Sequence, residues 1–331
     1  MRTALVTGAT GFLGGYVVRE LLPSYRVRAL GRDEARGASL KAEGARFCRG
    51  DLRDKGSCRP FFEGVDAVVH AGALSSAWGR WEDFRSVNVE GTRAVAELCV
   101  EHGVRRLVFV SSPSIYAQRR DRLGVREDEF DPENRLNGYI RSKIMAEKLL
   151  EGFAERGLEV VVMRPRGLIG AGDTSIAPRL LRAWREGGIP LFDGGRAIVD
   201  LTCVENVARA CRLCMEAPEA PGRAFNITNG EPMEFREAAS MLLDELGLEH
   251  RFRRLPRVPM YVLAGALELV CRAVGSQAEP LLTRYVICTL GYSQTLDIEA
   301  SRRILGYEPY VTLAEGVRRY AEHRALCDAR R

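Results

Sequence analysis

The 331-residue sequence predicts an α/β fold, in which a doubly wound parallel sheet carries helices on both faces and is followed by a smaller C-terminal α+β lobe. Through the first half of the chain, short runs rich in β-branched residues alternate with longer helical patterns. Strands joined by connections of helical length pair in parallel. After about residue 170 the alternation loosens into turns, short strands and separate helices.

The elements of the first half can be placed in order. The predicted strands cover 3–8, 26–31, 45–51, 66–72, 106–112 and 159–165. The main helical patterns between them cover 11–23, 87–103 and 137–157, and later helices are predicted over 176–186, 204–216, 234–246 and 258–273. We therefore expect one domain over 1–170 and a mainly substrate-binding one over 171–331, with a segment of about 196–215 returning to the first.

The charge distribution and the cysteine count argue against several classes of function. The 49 basic residues are scattered among 44 acidic ones rather than gathered in a stripe, which argues against a nucleic-acid partner. Nine cysteines, an odd number, and an opening strand pattern without a leader-like segment favour a cytoplasmic protein with free thiols. Cys211 and Cys214 form a CxxC on a helical pattern, but no second Cys or His pair lies near them in the sequence. We expect two buried thiols and no metal site.

The most apolar stretch is Val258 to Val274, which contains Glu268 and Arg272. It is shorter than the roughly 20 residues that span a bilayer, so no transmembrane helix is expected. Three interpretations stay open, and a core helix is the first choice among them. The others are a lid over an apolar pocket and an amphipathic segment that makes weak contact with a membrane surface.

A glycine-rich turn follows the first strand. The stretch "VTGATGFLG" places Gly8, Gly11 and Gly14 between this strand and the first helix. Glycines there allow a tight turn and close approach to a pyrophosphate, which rests on the helix N-terminus. The sequence therefore predicts a dinucleotide-binding domain of Rossmann type.

The end of the second strand bears on which dinucleotide binds. An acidic residue there holds the ribose of NAD, whereas an arginine holds the extra phosphate of NADP. Gly31 stands where the acid is expected and Arg32 follows, so NADP(H) is favoured. The alternative is NAD(H), with Asp33 reaching the ribose. Asp51 and Leu52 end the third strand, and Asp51 is expected at the adenine edge.

Tyr139 and Lys143 lie one helical turn apart in "GYIRSK". With ten tyrosines and four lysines in the chain, such a pair is expected only ~0.1 times by chance. A carbonyl reduced by a hydride needs a proton donor, and a nearby ammonium lowers the pKa of a tyrosine. We expect Tyr139 to donate the proton and Lys143 to lower its pKa and hold the ribose.

Two further residues fit the same chemistry. Ser112 ends the fifth strand at the carboxyl edge of the sheet and is expected to hold the substrate oxygen, with Ser111 as its competitor. Asn88 opens the helix before that strand. It either joins a proton relay or fixes Lys143, or it is an ordinary N-cap.

Together these residues resemble an extended short-chain dehydrogenase/reductase, over nearly the whole chain. The motifs are "TGATGFLG", "DL" at 51–52, "HAGA" at 70–73, "NVEGT" at 88–92, "VSSPSIY" at 110–116, "YIRSK" at 139–143, "RPRGLIGAGD" at 164–173 and "DIEASRRILGYEP" at 297–309. The resemblance implies that the catalytic set is Ser112, Tyr139, Lys143 and Asn88. The implied cofactor contacts are Gly8, Thr10, Gly11, Phe12, Leu13, Gly14, Arg32, Asp51, Leu52, Ala71, Gly72, Ala73, Tyr139, Lys143 and Pro165.

Within that superfamily the chain is most similar to the 3β-hydroxysteroid dehydrogenase/isomerase branch and to bacterial reductases of 2-alkyl-3-ketoalkanoic acids. Nucleotide-sugar epimerases usually carry an asparagine where this chain has Arg164-Pro165-Arg166-Gly167, and an Arg-Asp pair where it has Val199-Asp200. Both differences remove polar contacts to a sugar nucleotide. Trp78, Trp81, Ser114 and Arg166 are the expected substrate contacts.

The leading interpretation is an NADP(H)-dependent ketoreductase or secondary-alcohol dehydrogenase with a hydrophobic, lipid-like substrate such as a long-chain 2-alkyl-3-keto acid. The alternatives are a 3β-hydroxysteroid dehydrogenase/isomerase, an NAD-dependent nucleotide-sugar epimerase and a non-catalytic NADP-sensing protein. The resemblance also implies a homodimer through the helices of the fourth and fifth crossovers.

Overall fold

The computed structural model describes residues 1–280 and 282–329. Its strands are β1 (Thr3–Thr7), β2 (Arg26–Gly31), β3 (Arg46–Arg49), β4 (Ala67–His70), β5 (Arg106–Val110), β6 (Arg122–Val125), β7 (Glu159–Pro165), β8 (Leu168–Ile169), β9 (Ile189–Phe192), β10 (Ile198–Val199), β11 (Thr202–Cys203), β12 (Ala224–Ile227), β13 (Met233–Glu234), β14 (Phe252–Leu255) and β15 (Gln294–Leu296).

The α-helices are α1 (Phe12–Leu21), α2 (Glu34–Ala42), α3 (Lys55–Cys58), α4 (Trp81–Phe84), α5 (Gly91–Glu101), α6 (Gly138–Ala154), α7 (Ile176–Arg185), α8 (Val204–Glu216), α9 (Phe235–Glu245), α10 (Arg257–Ala273), α11 (Arg284–Leu290), α12 (Glu299–Leu305) and α13 (Leu313–Ala329). A π-helical turn, Arg85–Glu90, joins α4 to α5.

The main sheet has seven parallel strands in the order β3-β2-β1-β4-β5-β7-β12. Six of them are the six predicted strands, with ends that differ by at most two residues, and β12 adds the seventh. The chain leaves β1 toward β2 on one side, and β4 lies on the other side of β1. This order is that of a doubly wound Rossmann-type sheet, so the predicted fold class is confirmed.

Both faces of the sheet are buried, which explains the nearly continuous apolar strands. In β1, Ala4 and Val6 pack into one core layer, whereas Leu5 packs into the layer on the opposite face. In β5, Val108 and Val110 point to the first layer, and Leu107 and Phe109 point to the second. The helices α1 and α8 pack against each other over the first face.

The rest of the chain forms smaller sheets. The order β13-β10-β15-β6 gives a four-stranded mixed sheet, and the pairs β11-β8 and β14-β9 are separate. Within the segment expected to return to the first domain, α8 packs on α1, whereas β10 pairs in the four-stranded sheet. The domain boundary at residue 170 stays a prediction.

The first-choice interpretation of the 258–274 segment is wrong. This segment forms α10, but only Ala264 and Glu268 are buried in it, so it is not a core helix. Its inward face carries Glu268, whose carboxylate accepts from the backbone N–H and the guanidinium of Arg284, and Met260 and Tyr261 pack partly buried near Ala264. Most of its other large apolar residues face outward. Across the described part of the chain, every helix is too short or too polar to cross a membrane.

A buried ion pair ties α6 to β7. The guanidinium of Arg164 donates to the carboxylate of Glu147, at 3.1 Å from Nε and 2.5 Å from Nη2. Its Nη1 donates to the Tyr116 hydroxyl and to the carbonyl of Glu127, both at 2.6 Å. Ser111 donates its hydroxyl proton to the same carboxylate. The pair is therefore hydrogen-bonded on both sides, which a buried pair needs to stabilise the fold.

Gly14 and Gly152 provide a matched test of the packing at the start of α1. A Cβ atom on Gly14 would lie 2.1 Å from the carbonyl oxygen of Gly8, so Gly14→Ala forces the backbone apart. We expect it to lower the free energy of unfolding by about 3 kcal/mol. Gly152 lies exposed on α6 with open space around its Cβ position, so Gly152→Ala should raise stability by ~0.5–1 kcal/mol.

Urea unfolding of the two variants and the unsubstituted chain measures both effects. Equal stability of the two variants would contradict the packing described for Gly14.

Candidate functional site

The glycine loop lies where the main sheet changes direction, between the ends of β1 and β4. Gly8 has a φ of +67°, in the left-handed region that favours glycine. A Cβ atom on Gly8 would lie 2.5 Å from the Cα of Gly72, in the loop after β4. Gly11 precedes α1, and no described side chain caps that helix end. The loop leaves room and helix N–H groups for a pyrophosphate, so these residues fit a dinucleotide.

The other cofactor contacts implied by the resemblance lie near this loop or at the ends of the strands. Thr10, Phe12 and Leu13 continue the loop into α1, Ala71 and Ala73 flank Gly72, and Pro165 ends β7. The Leu52 side chain packs against Gly72. A Cβ atom placed on Gly72 would lie only 2.6 Å from the Leu52 side chain. These predicted cofactor residues therefore lie along the carboxyl edge of the main sheet.

Two guanidinium groups lie near the end of β2. The side chain of Arg32 is 69% exposed, and its Nη1 lies 3.8 Å from an Asp51 carboxylate oxygen. Arg36, on α2, donates from Nη1 to the carbonyl of Thr10 at 2.8 Å. Asp33, the acid weighed for a ribose, instead caps α2 by accepting from the backbone N–H of Arg36. Each guanidinium group also lies 3.8 Å from a carboxylate, Arg32 from Asp51 and Arg36 from Asp33.

Asp51 forms a close ion pair beside these arginines. The Arg53 guanidinium donates to it at 2.6 Å and holds the pKa of the carboxyl at about 2. Asp51 is therefore an anion at neutral pH, and its charge is already paired within the loop after β3.

Tyr139 and Ser112 face each other across the carboxyl edge of the sheet. Burial raises the pKa of Tyr139, while hydrogen bonding to the hydroxyls of Ser112 and Ser75 acts in the opposite direction. The Ser112 hydroxyl also donates to Ser114 Oγ at 3.0 Å, and Ser114 Oγ lies 2.7 Å from the Tyr285 hydroxyl. A short chain of hydroxyl groups thus runs from Ser112 through Ser114 to Tyr285 on α11.

The ammonium of Lys143 is directed at the sheet. Its Nζ donates to the carbonyl oxygen of Val110 at 2.7 Å and lies 4.7 Å from the centre of the Phe109 ring. Burial lowers the pKa of Lys143 to about 8. Lys143 is not among the groups that shift the pKa of Tyr139 in this arrangement, so the expectation that Lys143 lowers this pKa stays a prediction.

Asn88 lies in the π-helical turn before α5 rather than at a helix start, so the N-cap alternative is wrong. Its amide accepts from the backbone N–H of Leu74 at 2.7 Å and donates to the carbonyl of Leu74 at 3.0 Å. It also donates to the hydroxyl of Ser142 at 2.9 Å. Asn88 thus joins the loop after β4 to Ser142 of α6, which is next to Lys143 in the sequence of that helix. Among the described hydrogen bonds, none joins Asn88 to Lys143.

The structure separates the two serines that end β5. Ser111 bonds the buried Glu147 carboxylate that pairs with Arg164. Ser112 points the other way, toward Tyr139 and Ser114. Of the two competitors, Ser112 is therefore the serine at the candidate site.

Arg166 is a buried cation on which Tyr285, the last residue of the hydroxyl chain, acts electrostatically. It is 6% exposed, and its Nη1 donates to the side-chain oxygen of Gln294. Among the described residues no carboxylate lies within 4.0 Å of it, and Asp200 acts on it from farther away. Burial lowers the pKa of Arg166, and Tyr285 and Asp200 oppose this shift. An anion beside this guanidinium would be strongly stabilised.

Trp78 and Trp81 line a separate cleft of about 430 Å³ between the loop after β4, the start of α6 and the end of α10. Trp78 Nε1 donates to the carbonyl of Ser276 at 3.2 Å, and the Arg141 guanidinium lies 3.8 Å from the Trp81 ring centre. The cleft includes Gly138 and Arg141, which flank Tyr139, but Tyr139 and Ser112 are not among its lining residues.

Sequence reasoning missed Tyr285, Gln294, Ser75 and Arg36. Tyr285 and Gln294 lie on α11 and β15, which the tertiary fold brings to the site. No spacing within the sequence could therefore have predicted their role. Arg36 lies four residues after Arg32, and this spacing on a helix was a usable signal.

Comparisons with known proteins agree with this geometry. The sequence model of the "NAD dependent epimerase/dehydratase family" matches residues 4–228. YbjS of Escherichia coli, described as uncharacterized, is 35% identical over 328 residues, covering 96% of each chain. A 2-alkyl-3-oxoalkanoate reductase of Stenotrophomonas maltophilia is 34% identical over 323 residues, covering 95% of this chain and 97% of the relative.

Among solved structures, MoeE5 in complex with UDP-glucuronic acid and NAD has a TM-score of 0.77 and 26% identity, covering 98% of this chain and 99% of MoeE5. The chain belongs to the NAD dependent epimerase/dehydratase family of extended short-chain dehydrogenases/reductases, and it is an NAD(P)-dependent oxidoreductase.

Proposed function

We propose that this protein is an NADP(H)-dependent ketoreductase whose substrate is a long-chain 2-alkyl-3-keto acid. The observation that carries the proposal is the buried Arg166 cation, on which Tyr285, the last residue of the hydroxyl chain, acts electrostatically. A keto acid presents a carbonyl for the hydroxyl groups and a carboxylate for such a cation. The substrate named for the Stenotrophomonas relative has both groups.

The residues of the site divide the chemistry between them. When bound, the nicotinamide supplies the hydride. Ser112 holds the carbonyl oxygen by a hydrogen bond, and Tyr139 donates the proton to that oxygen. A tyrosine titrates at about 10 and burial raises the pKa of Tyr139, so the phenol carries its proton at neutral pH. Asn88 positions α6 through Ser142, and Lys143 holds the ribose and stabilises the phenolate once its ammonium turns from Val110.

The preference for NADP(H) rests on Arg32 and Arg36. Both are near the end of β2, where the extra phosphate of NADP is held, and Asp33 is occupied as a helix cap. A guanidinium can hold a phosphate through two hydrogen bonds, whereas a carboxylate would repel it.

The proposal also includes a homodimer and a cytoplasmic location. The homodimer forms through α5 and α6, the helices of the fourth and fifth crossovers. The dimer rests on the family resemblance alone. The location is supported by nine cysteines that are all free thiols, eight of which are buried or partly buried.

Tyr139→Phe removes the proposed proton donor without changing the ring. We expect kcat for NADPH oxidation with a long-chain 2-alkyl-3-keto acid to fall about 1,000-fold. Tyr310→Phe, at a 53% exposed tyrosine, is the matched control and should keep full activity. A 3-ketosteroid and a UDP-sugar, assayed in parallel, test the steroid and epimerase alternatives. Activity that survives in Tyr139→Phe would rule out this mechanism.

Arg32→Ala removes one of the two cations near the end of β2. Hydrogen bonds to charged groups are worth about 1.5–3 kcal/mol, so the KM for NADPH should rise at least about tenfold. The KM for NADH should not change. Arg105→Ala, before β5 on the opposite edge of the sheet, controls for loss of positive charge. If Arg32→Ala raised both KM values equally, the arginine would not discriminate between the cofactors.

Arg166→Met tests the carboxylate contact with matched substrates. We expect kcat/KM for the keto acid to fall about 100-fold and kcat/KM for its methyl ester to change little, because only the acid presents a charge. The unfolding midpoint should stay equal or rise, since the substitution removes a buried cation that lacks a close carboxylate. Equal losses with acid and ester would place Arg166 outside substrate recognition.

A further inference from the structure

The outward face of α10 is apolar along its whole length. Every exposed position of this helix except Arg272 carries an apolar residue. The large ones, with the residue that follows the helix, are Val258, Val262, Leu263, Leu269, Val270 and Val274, between 46% and 72% exposed. At 100° per residue they share an arc of about 160°. A contiguous apolar surface of this kind marks a binding surface rather than ordinary exposure.

The apolar face is not the lid of the neighbouring cleft. The residues of this region that line the cleft are Cys271, Arg272, Gly275 and Ser276, at the end of the helix. The helix is fixed from its inner side by Glu268, whose carboxylate bonds Arg284, and by the packing of Ala264. The apolar face of α10 is therefore directed away from the rest of the protein.

Arginines occur before this helix, at its start and near its end. Arg251, Arg253, Arg254 and Arg257 precede or begin the helix, and Arg272 lies near its end. Over residues 250–278 the sequence contains a single acidic residue, Glu268, which is buried and paired with Arg284. Arg257 pairs with Asp193, whereas Arg253 and Arg254 are exposed on β14. The segment therefore combines an exposed apolar helix face with exposed arginines next to the helix in the sequence.

We propose that the outward face of α10 binds the surface of an anionic phospholipid bilayer, with the helix lying in the membrane plane. The apolar side chains enter the boundary between headgroups and acyl chains, and the neighbouring arginines bind lipid phosphates. The helix, at 17 residues, is suited to lie on a bilayer rather than cross it.

A second copy of this chain is a weaker occupant of the same face. A two-fold interface brings the same patch of each copy together, so the arginines around α10 would face their own equivalents. Like charges repel across such an interface, whereas anionic lipid headgroups attract them.

Vesicle sedimentation tests the proposal. The purified protein is mixed with vesicles of phosphatidylcholine alone or of phosphatidylcholine with phosphatidylglycerol. We expect binding to the anionic vesicles, weaker binding to the neutral ones, and a decrease with added NaCl. The double variant Val262→Glu/Leu269→Glu should bind about 100-fold more weakly, since two exposed apolar side chains become charged.

Further variants separate the two parts of the surface. Arg253→Gln/Arg254→Gln should weaken binding to anionic vesicles about tenfold and leave binding to neutral ones unchanged. Leu326→Glu, at a 61% exposed residue on α13, is the matched control and should bind like the unsubstituted chain. Circular dichroism and the unfolding midpoint confirm that each variant is folded.

Two results would overturn the proposal. One is equal sedimentation of the unsubstituted chain and the Val262→Glu/Leu269→Glu variant with anionic vesicles. The other is self-association, measured by sedimentation velocity without lipid, that disappears in that variant, because a second copy would then cover the face.

Discussion

The buried pair between Glu147 and Arg164 is the interaction on which the geometry of the site depends. Glu147 lies on α6 one turn after Lys143, and Arg164 lies on β7, so the pair fixes this helix against the sheet. It also binds Ser111, which leaves its neighbour Ser112 facing Tyr139. Every charged atom of the pair has a partner, and removal of one partner from such a pair costs about 3–5 kcal/mol.

Among the described residues, four lysine and arginine side chains are buried, and they divide into two kinds. Arg164 pairs with Glu147, and Arg106 pairs with Glu159 at 2.7 Å while donating to backbone carbonyls. Lys143 and Arg166 instead contact only neutral oxygen atoms within hydrogen-bonding distance. A buried cation without a close carboxylate destabilises the fold, so its presence at two places in one site indicates ligands that supply negative charge or electron-rich oxygen.

The sequence predicted those parts of the molecule that depend on neighbours along the chain. Strand ends, the glycine loop and the Tyr139–Lys143 spacing are local patterns, and the structure has them where the sequence predicts them. The direction of the Lys143 ammonium was not predictable, because it depends on a carbonyl of β5 that packing brings beneath α6. Tyr285 and Gln294 were missed for the same reason, since only the tertiary fold brings α11 and β15 to the site.

The error over α10 has a different physical origin. Apolar content alone predicts burial, and the sequence from Val258 to Val274 is the most apolar of the chain. The fold turns inward the face of α10 that carries Ala264 and Glu268, which pairs with Arg284, and leaves most of the large apolar side chains outward. The buried face of α10 is therefore set by the neighbours that the tertiary fold brings against it, Ile287 of α11 and Phe192 of β9, and the apolar content of the helix alone does not reveal them.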